Sequence, residues 1–233
     1  MSERSEGSPP ADSAPPERVS PIAALKHAQY RLLWSGGLCS GAAQTMQLFV
    51  NSYVVYEMSR SPLQLGLTGV FAALPVLTLS LLGGAVADRL DRRRLLVVTQ
   101  GIRLFPSAFL AIMAAGGGLA VWQIYLVTFV SNMAGIFDRP ARQALISSLV
   151  PREHLTNALT LNQIVHQFYM IIGPTVAGVV LAATNPSFTY GANFVLFAIS
   201  WLAVIFLKAP VVAARARQGY LSMIGEGLSF VKV

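Results

Sequence analysis

The sequence predicts an all-α membrane protein with six transmembrane helices and both termini in the cytoplasm. Three observations predict it. The first is composition: 54% of the 233 residues are hydrophobic and only 12% are charged, where a soluble domain carries about 25% charged residues. The second is the grouping of the apolar residues into six segments, at about 33–56, 63–86, 95–115, 119–137, 157–183 and 188–207. A helix of about 20 residues spans the ~30 Å hydrocarbon core, so each segment is long enough to cross. None shows the period-2 alternation of a barrel strand, and backbone groups in lipid must bond internally, which leaves helices. The third is the placement of lysine and arginine. With the N-terminus inside, the inside regions hold Lys26, Arg31, Arg89, Arg92 to Arg94, Arg139, Arg142, Arg152, Lys208, Arg215, Arg217 and Lys232, and the outside loops hold only Arg60. The positive-inside rule fixes the orientation from that asymmetry.

The elements follow in order. Residues 1–20 are rich in Ser, Pro, Glu and Ala and lack an apolar core, so a disordered tail is expected; no apolar stretch there suits a secretory signal. Lys26, His27, Tyr30 and Arg31 form a basic and aromatic approach to the membrane surface. The bundle is expected over 21–207. Its outside turns are short: Ser59 to Pro62, Gly116 to Gly118 and Thr184 to Ser187. The inside loop from Asp138 to Asn157 is longer, with room for a short amphipathic surface helix over Ala141 to Leu149. Pro151 is expected to start the fifth helix, with Glu153 near its positive end. Residues 208–233 read as a cytoplasmic linker.

Several function classes fall away. The net charge of +7 comes from arginines grouped at segment ends, with no solvated basic face, so nucleic acid is not an expected partner. Cys39 is the single cysteine, which rules out an internal disulfide or a cysteine-based metal site and suits a small apolar packing residue. His27, His154 and His166 are scattered, and no phosphate-binding loop, metal-ligand cluster or nucleophile–histidine–acid set is evident. No enzyme activity and no cofactor are expected.

Polar residues inside the apolar segments mark the interior. Gln44, Gln47 and Asn51 stand at i, i+3 and i+7 on the first helix and share a face. Asn132, with Thr128 and Gly135, makes a similar stripe on the fourth. Asn162, His166 and Met170 share a face of the fifth, beside Gln163 and Gln167, and His166 is read as the ionisable side chain well inside a helix. Buried polar groups in membranes face the bundle interior or a water-filled path, so Gln44, Gln47, Asn51, Asn132 and His166 are candidate cavity residues. The competing reading is hydrogen bonding between helices. For His166, proton carriage competes with a packing role. Glu57, at the outer end of the first helix, is read as a solvated residue.

The charged turn Gly83-Gly84-Ala85-Val86-Ala87-Asp88-Arg89-Leu90-Asp91-Arg92-Arg93-Arg94-Leu95-Leu96 resembles the loop between helices two and three of the major facilitator superfamily. That family's pattern is G-x-L-A-D-R-x-G-R-K-x-x-L, and Gly84, Ala87, Asp88, Arg89, Arg92, Arg93 and Leu96 fall on it. Asp91 replaces the pattern's glycine. The resemblance implies that Asp88 caps a helix of a second half and that Arg92 pairs with an acid at the inner end of the fourth helix, for which Asp138 is the candidate. Arg93 and Arg94 are then topology and headgroup contacts. Phe137-Asp138-Arg139-Pro140-Ala141-Arg142-Gln143-Ala144 resembles a segment of the family's siderophore and multidrug exporters, and implies that Arg142 braces the inner gate. Gly173-Pro174-Thr175-Val176-Ala177-Gly178 resembles the antiporter motif G-P-x-x-G-G, with Ala177 for its first paired glycine. There Pro174 kinks the helix and Gly173 and Gly178 admit a close neighbour.

These resemblances imply secondary active transport in the plasma membrane. They imply outward movement of small amphipathic molecules, drugs or siderophore-like metabolites, in exchange for protons. They cover six of the family's twelve helices, which implies a second six-helix half. The alternative is a truncated or accessory six-helix membrane protein without transport of its own. The expected partners are membrane lipid, a small-molecule substrate, the proton and that second half.

Overall fold

The structure, a computed structural model, describes residues 23–87 and 91–208, with backbone alone over 81–87. A one-turn 3-10 helix at Ala23–Lys26 leads into six α-helices: α1 (Ala28–Ser59), α2 (Pro62–Ala87), α3 (Arg92–Ala115), α4 (Val121–Leu149), α5 (Arg152–Ala183) and α6 (Pro186–Ile205). The described residues contain no strand.

Local chemistry sets the boundaries. α1 ends where Arg60 turns into the left-handed region at φ 50° and its N–H bonds the Tyr56 carbonyl. Pro62, whose fixed φ suits a first helical position, then opens α2. Asp91 caps α3 by accepting the Arg94 N–H at 2.8 Å. The residue that departs from the family's glycine is therefore a helix cap. α3 ends at Gly116 and Gly117, the latter at φ 70°. Asn185 caps α6 through the Phe188 N–H at 2.9 Å, with Pro186 at the first position. Pro151 precedes α5, and Glu153 sits in its first turn.

One element differs from the sequence reading. α4 runs without a break to Leu149, through Asp138, Arg139 and Pro140. The residues read as a loop and a separate surface helix are its last three turns. Asp138 and Arg142 are tolerated in the helix because they point inward to partners, and Leu145 and Ile146 on the same stretch are buried in the inner core.

The helices pack as a four-helix centre of α1, α3, α4 and α6, flanked by α2 on α4 and α5 on α1. Apolar cores close both ends. The end that holds Ala24 and Leu207 is called inner here, and its core joins Tyr30, Leu33, Leu96, Leu145, Ile146 and Leu207. The outer one joins Met46, Val50, Val55, Leu110, Ile124 and Tyr190. Between them lies a belt of buried polar side chains. α2 and α5 instead turn large apolar residues outward, Leu77 at 79% and Ile171 at 69% exposure. Such a surface is unsuited to water and suited to lipid or another apolar face.

Among the described residues four helices are long and apolar enough, by length and composition, to cross a membrane: α2 over Pro62–Ser80, α3, α5 and α6. α1 and α4 are also long, but α1 carries Gln44, Gln47 and Asn51 and α4 carries Asn132, Asp138, Arg139 and Arg142.

Candidate functional site

The polar belt begins at its outer end with three helices joined through one amide. Asn51 on α1 donates from Nδ2 to Thr128 Oγ1 on α4 at 2.9 Å. Its Oδ1 accepts the Tyr190 hydroxyl of α6 at 3.0 Å. One turn inward a small cavity of about 10 Å³, room for roughly one water, opens between α1 and α4, lined by Gln44, Gln47, Leu48, Asn51, Thr128, Ser131 and Asn132. The structure thus brings together Gln44, Gln47, Asn51 and Asn132, four of the five residues singled out by helical spacing. Asn132 donates to the Thr128 carbonyl of its own helix at 2.8 Å. Gln44 Oε1, both polar atoms of Gln47 and Ser131 Oγ are buried and have no hydrogen-bond partner.

His166 is not on that pocket. It is half-buried on α5, edge-on to the Tyr169 ring with centroids 5.1 Å apart. Arg103 on α3, by contrast, is an ionisable side chain deep in the bundle, 7% exposed. It stands mid-segment, where the reading of arginines as end markers overlooked it. The two other histidines are not scattered in space: His27 and His154 meet at 3.1 Å where the lead-in to α1 crosses the start of α5.

Inward of the pocket the belt becomes charged. Asp138 is 5% exposed and Arg142 8%. Arg142 Nε lies 3.5 Å from Asp138 Oδ2, and Arg142 Nη1 donates to the Leu33 carbonyl of α1 at 3.1 Å. Arg142 Nη2 stands 3.5 Å from Ser40 Oγ, also on α1. A β-carbon at Gly37 would sit 3.0 Å from Arg142 Nη1, so glycine there leaves the guanidinium its seat. Asp138 Oδ1 accepts Gln100 Nε2 at 2.7 Å and Thr99 Oγ1 at 3.3 Å, both from α3. Ser200 on α6 adds a 3.4 Å bond to Gln100 Oε1. One carboxylate and one guanidinium thereby tie all four central helices. A buried charge with several such partners is the form a low-dielectric interior tolerates.

This arrangement corrects one expected pair. Arg92 does not reach Asp138; its Nη1 donates to the Ala144 carbonyl, 3.0 Å away on α4. Asp138 lies more than one helical turn deeper and is taken by Gln100, Thr99 and Arg142. Arg93 is no free headgroup contact either: its Nη2 donates to the Ile205 carbonyl at 2.6 Å, at the negative C-terminal end of α6. Asp88 and Arg89 lie outside the described residues, and Gly84 belongs to the part of α2 given as backbone only.

On α5 the glycine–proline pair makes the closest helix approach. A β-carbon at Gly173 would fall 1.9 Å from Thr45 Oγ1, and one at Gly41 would fall 2.2 Å from the Tyr169 ring. Pro174 supplies no N–H to the helix, and just before it the Tyr169 carbonyl accepts Thr45 Oγ1 at 2.9 Å. Gly178 is looser, with its would-be β-carbon 3.8 Å from Phe49. Gly41, Thr45 and Tyr169 were not singled out from the sequence, although Gly37 and Gly41 already show the four-residue spacing of a close helix contact.

Six long helices, a polar seam between the first and fourth, and a charged turn after the second together define a protein of the major facilitator superfamily, a multi-pass membrane protein. Within it the chain belongs to the transmembrane secretion effector family, which it matches over residues 19–233. It is 26% identical to the MFS-type transporter YfiS of Bacillus subtilis over 190 residues, 79% of this chain and 44% of the relative. It is 21% identical to macrolide efflux protein A of Streptococcus pyogenes over 207 residues, 88% of this chain and 51% of the relative. A third relative is the staphyloferrin A transporter of Staphylococcus aureus, 26% identical over 163 residues, 69% of this chain and 41% of the relative. The chain spans about half the length of the curated relatives it matches.

Proposed function

We propose that this chain is one six-helix half of a secondary active exporter, the half that begins with the N-terminus. All six helices cross the plasma membrane and both termini lie in the cytoplasm. The half rocks against a second one by alternating access and moves small amphipathic molecules outward in exchange for protons. The pocket between α1 and α4 is its share of the transport path. Gln44, Gln47, Asn51 and Asn132 touch substrate there. Asp88, Arg89 and Arg92 at the inner turn, with the Asp138–Arg142 lock, hold the inner gate. Gly84, Gly173, Pro174 and Gly178 give the helices room to shift. The observation that carries this reading is the pocket itself: Gln44 Oε1, both polar atoms of Gln47 and Ser131 Oγ are buried without a partner where α1 meets α4. A buried polar atom left unpaired costs about 1–3 kcal/mol, a cost that a bound ligand or water removes. The named relatives, a macrolide efflux protein and a staphyloferrin A transporter, support the substrate class.

The test is efflux of a fluorescent amphipathic dye from energised cells that make the whole protein. The proposal expects efflux that a protonophore stops and that Asn132→Leu cuts at least tenfold at equal membrane content. Efflux indifferent to the protonophore would overturn proton coupling, and efflux unchanged in Asn132→Leu would overturn the pocket assignment.

A further inference from the structure

We infer that the four-helix centre holds a binding site for a small monoanion, chloride or a carboxylate of similar bulk, between Gln47, Ser107, Ser131 and Asn193, next to Arg103. These four side chains come from α1, α3, α4 and α6, and no more than 3% of any is exposed. Each has polar atoms without a hydrogen-bond partner: both ends of the Gln47 and Asn193 amides, and the hydroxyls of Ser107 and Ser131.

They lie in one layer. Gln100 is bonded to Asp138 on α4 and to Ser200 on α6. Two helical turns outward, about seven residues or ~10 Å, α3 reaches Ser107, α4 reaches Ser131 and α6 reaches Asn193, each on the face already facing the centre. The bond from Tyr190 to Asn51 sets the register of α1. One turn inward from it, Asn193 comes level with Gln47, and Gln47 and Ser131 line the same pocket. Arg103, one turn inward of Ser107, presses Nη2 against α4, where a β-carbon at Gly135 would be 2.6 Å away. Its Nε has no partner.

Charge decides what fits. Amide and hydroxyl oxygens alone suit a cation, but a guanidinium beside them repels one. Among the described residues the buried charges are Arg103, Arg142 and Asp138, so two cations share one carboxylate. That carboxylate is already taken by Arg142, Gln100 and Thr99. An uncompensated charge at this depth is unfavourable in a membrane protein. A compact monoanion supplies the missing negative charge and accepts from the Gln47 and Asn193 amides, both serine hydroxyls and Arg103 Nε. The inference stands on packing and charge alone and does not depend on transport.

The test is thermal unfolding of the purified whole protein in detergent at fixed ionic strength. Sodium gluconate, a monoanion too bulky for the layer, is replaced stepwise by sodium chloride, N-methylglucamine chloride or sodium acetate. The expected result is a saturable rise of about 3 °C at ten times the dissociation constant, the same with either cation. A rise with chloride and acetate assigns a free monoanion, and a rise with acetate alone assigns the carboxylate of a substrate. Ser131→Ala and Asn193→Ala should each raise the half-saturating concentration at least threefold, and Arg103→Gln should abolish the rise. If Arg103→Gln does not fold, anomalous scattering from bromide in crystals of the unaltered protein decides, with a peak expected between Ser107, Ser131 and Asn193. Equal melting in all four salts, a rise that follows sodium, or no bromide peak in that layer overturns the inference.

Discussion

The inner and middle levels of the bundle are built from similar residues and are finished differently. At the inner level Asp138, Arg142, Gln100, Thr99 and Ser200 answer one another across four helices. At the middle level Gln47, Ser107, Ser131 and Asn193 are as deeply buried and answer nothing. A closed network fixes helix positions and gains nothing from a ligand. An open one is destabilising until something enters it.

The largest effect should come from breaking the closed level. Asp138→Ala leaves the buried Arg142 guanidinium without its carboxylate, and removing one partner of a buried pair costs about 3–5 kcal/mol. We expect loss of most folded protein in detergent, read by size-exclusion monodispersity; a monodisperse, normally melting variant would mean that the inner level is not closed in the way described. Next is the α1–α5 contact, where Gly173→Val drives a side chain into Thr45. A fall in melting temperature of at least 5 °C is expected, against no fall for Gly66→Ala, which has nothing within 4 Å of the new methyl. Equal melting of the two would contradict the close approach.

The comparison is sharpened by Gln47→Leu, which removes two unpartnered buried atoms and keeps the bulk. Replacing unpaired polar groups by apolar ones of similar shape is close to neutral or stabilising, by roughly 0–2 kcal/mol. The melting temperature should hold or rise, whereas Gln100→Leu, its counterpart at the closed level, should lower it. The smallest effect belongs to the exposed Arg60–Glu57 pair at the outer turn. Arg60→Ala should change stability by under about 1 kcal/mol, visible as an unmoved melting curve.

Much of this was legible in the sequence. Helix number and the pocket stripe followed from spacing, because Gln44, Gln47 and Asn51 interrupt an apolar run at helical intervals. The inner network was not legible. Asp138, Arg139 and Pro140 look like a loop when read along the chain, and only partners on α1 and α3 make them helix interior. Arg103 was hidden by the same habit, since a lone arginine in an apolar run has no local signature of its partner. The signal that did exist was period: Gln100, Arg103 and Ser107 on α3, with Asn193 and Ser200 on α6, repeat at three, four and seven residues. The face they share becomes meaningful only once α3 and α6 are known to pack on each other.

The central claim is that the open middle level serves a ligand and the closed inner level serves the fold. Its most direct test is Gln47→Leu in the whole protein, with melting temperature and dye efflux measured on the same preparation of cells and membranes. The account predicts an unchanged or higher melting temperature together with efflux reduced at least tenfold. A lower melting temperature with efflux intact would contradict it, because Gln47 would then be a structural residue and the middle level a part of the fold.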